Sequence, residues 1–143
     1  MKSNILVFMQ FFIIFLMILP LGEETNNFLA GSIVMGMGAI IGLIALSQNS
    51  LDNFNIRPDI KEDCVLVKTG IYAYIRHPMY ASVLLIMAGL VIFYPMEFEY
   101  VLYALLSITL LIKMFYEESL WRCETSEYLE YTKKTRRLIP FIF

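Results

Sequence analysis

Apolar residues fall into four nearly continuous stretches, and most polar residues collect in the segments between and after them. The stretches are 17, 19, 16 and 17 residues long, while a helix that crosses the hydrocarbon core of a bilayer needs about 20 apolar residues, within a range of about 17–25. The third is slightly short, but Pro78 suits the first turn of a helix and can begin it there. Because lipid offers the backbone no hydrogen-bond partners, we predict four transmembrane helices. Their predicted bounds are 5–21, 28–46, 79–94 and 100–116.

Composition supports a membrane protein. Hydrophobic residues make up 59% of the 143 and charged residues 17%, whereas soluble domains average about 45–50% and about 25%. The net charge of −2 argues against a nucleic-acid partner. Cys64 and Cys123 are too few for a disulfide framework, and no Cys/His cluster indicates a metal site. We therefore predict one all-α integral membrane domain over 1–143.

The basic residues predict an orientation. All eleven Lys and Arg, among them Arg57, Lys61 and Lys113, fall on one side of a four-span arrangement or at its membrane edge. The opposite turns, 22–27 and 95–99, carry four Glu and no base. Basic loops stay in the cytoplasm. We therefore expect both termini and the polar segments 47–78 and 117–143 to lie on the cytoplasmic side of the cell membrane. No small-x-small cleavage site follows the first stretch, which favours a retained helix over a signal peptide.

Small residues recur near one face of the second stretch, at Gly31, Gly38, Gly42 and Ala45. This spacing lets helix backbones approach closely. Packing inside one bundle is the favoured interpretation, and a homodimer through the second span is the alternative.

The polar segment before the third stretch contains the only histidine of the chain, in the cluster Arg76-His77-Pro78. Aromatic and basic residues at this boundary can be interface anchors, which suits Tyr72 and Tyr74. A helix start is also a ready anion site, so the spacing leaves a ligand role and simple anchoring about equally favoured.

The pair Glu117-Glu118 stands at the predicted inner end of the fourth stretch, where a helix dipole prefers cations. The pair is either solvated, with Glu118 paired to Arg122, or it binds a cationic group or Arg76.

Beyond the pair, Trp121, Tyr128 and Tyr131 lie near one helical face and predict an amphipathic C-terminal helix on the membrane, although such a stripe more often marks packing than a cofactor site. The basic run Lys133-Lys134-Arg136-Arg137 is suited to anionic lipid headgroups.

Two motifs together resemble those of a known superfamily. The run from Gly70 to Tyr80, GIYAYIRHPMY, resembles the G-x-Y-x-Y-x-R-H-P-x-Y motif of integral membrane methyltransferases, which include isoprenylcysteine carboxyl methyltransferases and phospholipid N-methyltransferases. The Glu117-Glu118 pair, Tyr128-x-x-Tyr131 and Thr135-x-Arg137-Leu138-Ile139-Pro140 resemble the C-terminal signature of the same superfamily. Relatives often have Gly where Ser82 stands and Arg where Lys113 stands.

The resemblance implies S-adenosylmethionine as cofactor, held on the cytoplasmic side beneath the C-terminal segment and open to lipid for the acceptor. The implied cofactor-binding residues are Lys68, Gly70, Tyr72, Arg76, His77, Pro78, Tyr80, Glu117 and Glu118. No metal is implied.

The acceptor decides the chemistry expected of the remaining residues. A carboxylate is already ionised and needs only positioning, by Arg76 or Arg137. An amine needs a base, for which Glu117, Glu118 and His77 are candidates. Arg76, Glu117, Glu118 and Arg137 are therefore the predicted catalytic residues.

We expect a methyltransferase for a lipidic or prenylated acceptor, with O-methylation of the isoprenylcysteine type favoured. The alternatives are a phospholipid amine N-methyltransferase, an NADPH-dependent membrane reductase and a non-enzymatic four-helix membrane subunit.

Overall fold

The computed structural model describes residues 2–19, 27–49, 65–140 and 142, and within these ranges it contains five α-helices and no strand. The outer turn before Asn27, the basic residues Arg57 and Lys61, and Cys64 lie outside the described residues. The all-helical prediction is thus confirmed for the described ranges. The helices are α1 (Lys2–Ile18), α2 (Phe28–Gln48), α3 (Pro78–Phe93), α4 (Glu97–Glu124) and α5 (Glu127–Lys134).

The starts of α2 and α3 lie at or next to the predicted positions, and Pro78 is the first residue of α3. The predicted end of the fourth helix at residue 116 is wrong, because α4 continues to Glu124. Residues 117–124 contain neither Gly nor Pro, so nothing in the backbone stops the helix where the apolar run ends. Glu117 and Glu118 consequently lie inside a helix, and the predicted conflict with the dipole at its end does not arise.

The apolar core lies between α1, α3 and α4. Ile13 and Met17 of α1 meet Met87 and Val91 of α3, and α4 contributes Leu106 together with its neighbours one turn away on either side. These buried side chains join the three helices into one bundle, with α2 on the outside of α3.

Helix α2 packs along α3 through its glycines. A Cβ on Gly38 would come within 2.9 Å of Ile86 and Leu85, and a Cβ on Gly31 would meet the carbonyl of Gly89. The small-residue face is therefore covered by α3 within the chain, which supports the packing interpretation, while a homodimer stays a prediction.

Ser82 gives this helix pair a polar contact. Its buried hydroxyl donates to the carbonyl of Gly38 at 2.7 Å. A glycine at this position would lack that hydrogen bond.

The outer faces of the bundle are apolar. Phe8, Phe15, Leu29, Leu43 and Ile108 are all more than half exposed, which is typical of a surface that contacts lipid. Helices α2 and α4 are long and apolar enough to cross a membrane, and α1 and α3 are shorter apolar helices.

Candidate active site

Local backbone geometry places the Arg76-His77 pair directly before α3. Gly70 has a φ of +60°, a conformation that glycine adopts without steric cost, and it begins a short 3₁₀ turn, Gly70–Ala73. The next amide, that of Ile71, donates to the side chain of Gln48 at the end of α2, at 2.7 Å. The chain then reaches Pro78, so Arg76 and His77 lie at the junction between the turn and the helix.

The C-terminal tail pairs with this junction through its backbone. The amide of Arg76 donates to the carbonyl of Arg136 at 2.7 Å, and that of His77 donates to the carbonyl of Arg137 at 3.0 Å. The amide of Arg136 returns a hydrogen bond to the carbonyl of Tyr74 at 2.9 Å. Two segments about 60 residues apart in the sequence are thereby joined as a short parallel pair.

Glu118 is the centre of the charged network. Its side chain is 2% exposed and accepts hydrogen bonds from Nε of Arg76 at 2.9 Å and Nε of Arg137 at 3.3 Å. Nη2 of Arg122 and Nε2 of His77 each lie 3.4 Å from its carboxylate. Both roles considered for Glu118 in the sequence, pairing with Arg122 and pairing with Arg76, are thus present together.

The cationic surroundings keep Glu118 ionised. Burial by itself would raise its pKa, but the hydrogen bonds from His77 and Arg76 outweigh burial and hold the pKa well below its usual range. Removing one partner of a buried ion pair typically costs about 3–5 kcal/mol of stability, since the other charge is left uncompensated. Glu118 therefore stabilises the junction as well as setting its charge.

Glu117 faces the other side of the same helix turn, towards α3. The hydroxyl of Tyr80 donates to Glu117 at 2.8 Å, and the rings of Tyr80 and His77 stack at 5.4 Å. The ammonium of Lys113 lies 5.5 Å from the centre of the Tyr80 ring and donates to the side chain of Gln10 in α1. The network thus extends from the site into the bundle.

Three aromatic residues fix α5 against the site. Trp121 of α4 stacks on Tyr128 at 6.1 Å, and Tyr128 meets Tyr131 edge-on at 6.0 Å. The hydroxyl of Tyr131 donates to the carbonyl of Tyr72 at 2.6 Å. The predicted C-terminal amphipathic helix is present as α5, which buries Tyr128 and Tyr131 on one face. Trp121 does not belong to it, because the helix breaks after Glu124 and Trp121 lies in α4. Contact of α5 with the membrane stays a prediction.

The hydroxyl of Tyr128 differs from that of Tyr131. It is buried and has no hydrogen-bond partner among the described residues, and the charges that act on it belong to Glu118, Arg76 and Glu117. Burial raises the pKa of Tyr128 and of Tyr131, and raises that of Tyr72 to about 12, so all three hydroxyls remain donors at neutral pH. Tyr128 therefore offers an unused donor inside the charged network.

A cavity of about 300 Å³ opens beside Glu118. Four of the residues that line it are arginines, and none of the described lining residues is acidic. The lining consists of Arg76, Arg122, Thr132, Thr135, Arg136, Arg137 and Ile142. Such a surface suits carboxylate or phosphate, which guanidinium groups bind in a bidentate manner.

Comparison with known families bears directly on this arrangement. The model of the isoprenylcysteine carboxyl methyltransferase (ICMT) family matches residues 32–121, well over half of the chain. The chain belongs to the ICMT family. A search of curated proteins finds no significant match. ICMT membership confirms the suspected superfamily and implies a membrane protein with methyltransferase activity in general.

In this ICMT-family chain the structure brings part of the predicted site together. Arg76, His77, Tyr80, Glu117 and Glu118 form one network, and Arg137 joins it from the tail. Pro78 is buried as the first residue of α3 and shapes the junction instead of presenting a polar group.

Three other predicted cofactor-binding residues lie in contacts with the protein itself. Lys68 forms an ion pair with Glu127 at the start of α5, Gly70 makes the turn, and Tyr72 contributes its carbonyl to Tyr131. None of the three lines the cavity. Their assignment to the cofactor stays a prediction.

Sequence reasoning did not assign Arg122, Thr132, Thr135 or Arg136 to the site, although all four line the cavity. Thr135 is buried and accepts a hydrogen bond from Arg76 through its carbonyl at 2.7 Å. The signal was present in the C-terminal signature, which contains Thr135 and Arg137, but only the paired tail shows which side chains face Arg76.

Proposed function

We propose that the protein is a methyltransferase that uses S-adenosylmethionine to O-methylate a lipidic or prenylated acceptor at the cytoplasmic face of the cell membrane. The observation that carries this proposal is the contact of Arg76 with Glu118, at 2.9 Å, which joins the two motifs into one site. Membership of the ICMT family supplies the class of reaction.

The residues present suit the amino-acid end of S-adenosylmethionine. Its carboxylate matches the arginine-lined cavity, and its ammonium group matches Glu117, whose side chain is 30% exposed and therefore accessible. The buried hydroxyl of Tyr128, which lacks a partner among the described residues, is a further donor that a ligand can satisfy. We assign cofactor binding to these groups together with His77 and Tyr80.

When bound, S-adenosylmethionine supplies an electrophilic methyl group on a sulfonium. The protein's own part is to align the acceptor and to exclude water, and alignment alone can contribute about 7–11 kcal/mol. Arg76 and Arg137 orient the acceptor carboxylate, while Glu118 holds both guanidinium groups in place. Because that carboxylate loses charge as the ester forms, a site closed by the tail and α5 favours the reaction.

The charge of the cavity favours a carboxylate acceptor over an amine. Four arginines line the cavity, and a protonated amine would be repelled by them. The same arginines attract an anionic acceptor without the need for a base. This supports O-methylation over phospholipid N-methylation.

The proposed placement in the membrane has four spans, α1 to α4, with both termini in the cytoplasm. The apolar outer faces of the helices and the basic residues at one end of the bundle support it. The site at the junction before α3 then lies where a polar cofactor arrives from the cytosol and a lipidic acceptor from the bilayer.

Cofactor binding by the full chain in detergent tests the proposal. We expect calorimetry to show binding of S-adenosylmethionine, with weaker binding after His77→Ala or Glu117→Gln. Glu130→Gln is the matched control, because Glu130 is exposed and pairs only with Lys133 among its described contacts. Absence of binding by the folded wild-type chain, or binding of NADPH instead, would refute the proposal.

The acceptor is tested with methyl-labelled donor. We expect label in an alkali-labile ester when a prenylated cysteine is supplied, and little label in the amine headgroups of a lipid extract. Label in those headgroups would mean that the acceptor is an amine and not a carboxylate. The assignment of the protein as a methyltransferase would still hold.

A further inference from the structure

We infer that Arg122 and Arg136, on the wall of the four-arginine cavity, bind the phosphate group of an anionic phospholipid headgroup, next to the arginines that serve the proposed reaction. The cavity is lined by Arg76, Arg122, Arg136 and Arg137, with two threonine hydroxyls. Guanidinium and hydroxyl groups are the donors that proteins use for phosphate. The proposed methyl transfer gives Arg76 and Arg137 a role in orienting the acceptor, but it assigns no separate role to Arg122 or Arg136.

The charges around the cavity do not balance. Arg76, Arg122 and Arg137 all hydrogen-bond to the single carboxylate of Glu118. The side chain of Arg136 is exposed and forms no ion pair within the described part of the chain. Among the described residues, no carboxylate offsets the positive charge of Arg136, and a bound anion would do so.

The cavity lies at the depth of lipid headgroups if the proposed four-span placement holds, and to that extent the inference rests on the proposed function. Arg76 is two residues before the first residue of α3, and Arg122 follows the predicted end of the fourth span by six residues. At about 1.5 Å per residue Arg122 stands about 9 Å beyond that end. The headgroup layer extends about 5–7 Å from the hydrocarbon on each side, so the backbone of Arg122 stands just outside that layer. Its long side chain can reach back to a lipid phosphate.

An apolar residue lines the cavity beside the arginines. This residue is Ile142, which is 77% exposed. A site for a soluble anion needs no exposed isoleucine in its lining, whereas a lipid brings acyl chains for it to contact. This favours a phospholipid over free phosphate as the source of the anion.

Native mass spectrometry of the full chain with added phosphatidylglycerol or phosphatidylcholine tests the inference, without any methyl donor. We expect phosphatidylglycerol to bind in preference to phosphatidylcholine, and Arg122→Gln with Arg136→Gln to weaken its binding by about tenfold or more. The matched control is Lys133→Gln with Lys134→Gln, which removes the same charge from α5 outside the cavity lining. We expect the control to retain phosphatidylglycerol within about twofold.

Equal losses in the two double variants, with both folded by circular dichroism, would show only general attraction to anionic lipid and would overturn the inference. A further arm with inorganic phosphate separates the sources of the anion. Weak competition by phosphate supports a lipid phosphate site, whereas stabilisation by phosphate equal to that by the lipid overturns it. A chain that binds phosphatidylglycerol in this way but not S-adenosylmethionine would refute the proposed function alone.

Discussion

Tyr128 and Tyr131 stand one helical turn apart in α5, and both are buried. The hydroxyl of Tyr131 bonds to the backbone of Tyr72, whereas that of Tyr128 has no partner among the described residues. One hydroxyl therefore supports the fold, and the other is available to a ligand. Replacement of each tyrosine by phenylalanine keeps the ring and separates these roles.

We predict opposite results for the two substitutions. Tyr131→Phe leaves the carbonyl of Tyr72 unsatisfied and should lower the free energy of unfolding by about 1–3 kcal/mol. Tyr128→Phe removes a donor without a partner, so stability should be unchanged or higher while the affinity for S-adenosylmethionine falls about 2–10-fold. Thermal melting in detergent and calorimetry measure the two effects. A loss of stability in Tyr128→Phe without loss of affinity would contradict the assignment of its hydroxyl to the cofactor.

Among the elements, α2 and α3 illustrate how small residues set the spacing of membrane helices. Gly38 faces α3, and a Cβ there would approach backbone and side-chain atoms of Ile86. Gly36, two residues away, has open space around the position of a Cβ. The two glycines thus provide a test and a control within one helix.

We predict that Gly38→Ala destabilises the protein by about 1–3 kcal/mol, because the close helix pair must separate. Gly36→Ala should be neutral or stabilising by about 0.5–1 kcal/mol, since alanine is the better helix former. Unfolding in increasing concentrations of a denaturing detergent, monitored by circular dichroism, measures the stability of both variants. Similar losses in the two variants would mean that the helix pair does not depend on the close approach at Gly38.

The sequence predicted these elements well where the physical signal was local. Four apolar runs gave four helices, and Pro78 gave the start of one of them. The end of α4 was not predicted, because its bounds were inferred from hydropathy alone. A helix can continue beyond the last apolar residue and out of the hydrocarbon core. The inward direction of Tyr128 depends on Trp121, which belongs to another helix.

For the whole molecule, the proposed orientation puts the site and the C-terminal segment on the cytoplasmic side. Cys123 is exposed near the end of α4, and Cys64 is the only other cysteine. A chain with Cys64→Ser therefore carries one thiol whose side of the membrane can be determined.

We predict that a membrane-impermeant maleimide labels Cys123 in inside-out vesicles and not in intact cells. Met96→Cys in a chain without the two natural cysteines is the matched control, because Met96 is partly exposed in the turn on the opposite side. It should label in intact cells. The reverse pattern for the two positions would contradict the orientation, and labelling of both from one side would contradict the four-span arrangement.

Only some of the residues that form the candidate site could be predicted from the sequence. Arg76, His77 and the two glutamates were found because they form short motifs. Arg122 and Arg136 join them only through the tail pairing and a turn of α4, which bring together residues separated by about 60 positions. No local pattern encodes such a contact.

The pairing of residues 74–77 with residues 136–137 also bears on the order of folding. Residues 74–77 directly precede α3 and residues 136–137 follow α5, so these two segments meet only when α3 and α4 have brought them to the same end of the bundle. The bundle of α1, α3 and α4 can therefore assemble in the bilayer while the arginines are still apart. Variants that weaken only the tail pairing should accumulate to normal amounts in the membrane yet lack a formed site, so that abundance and activity become separable quantities.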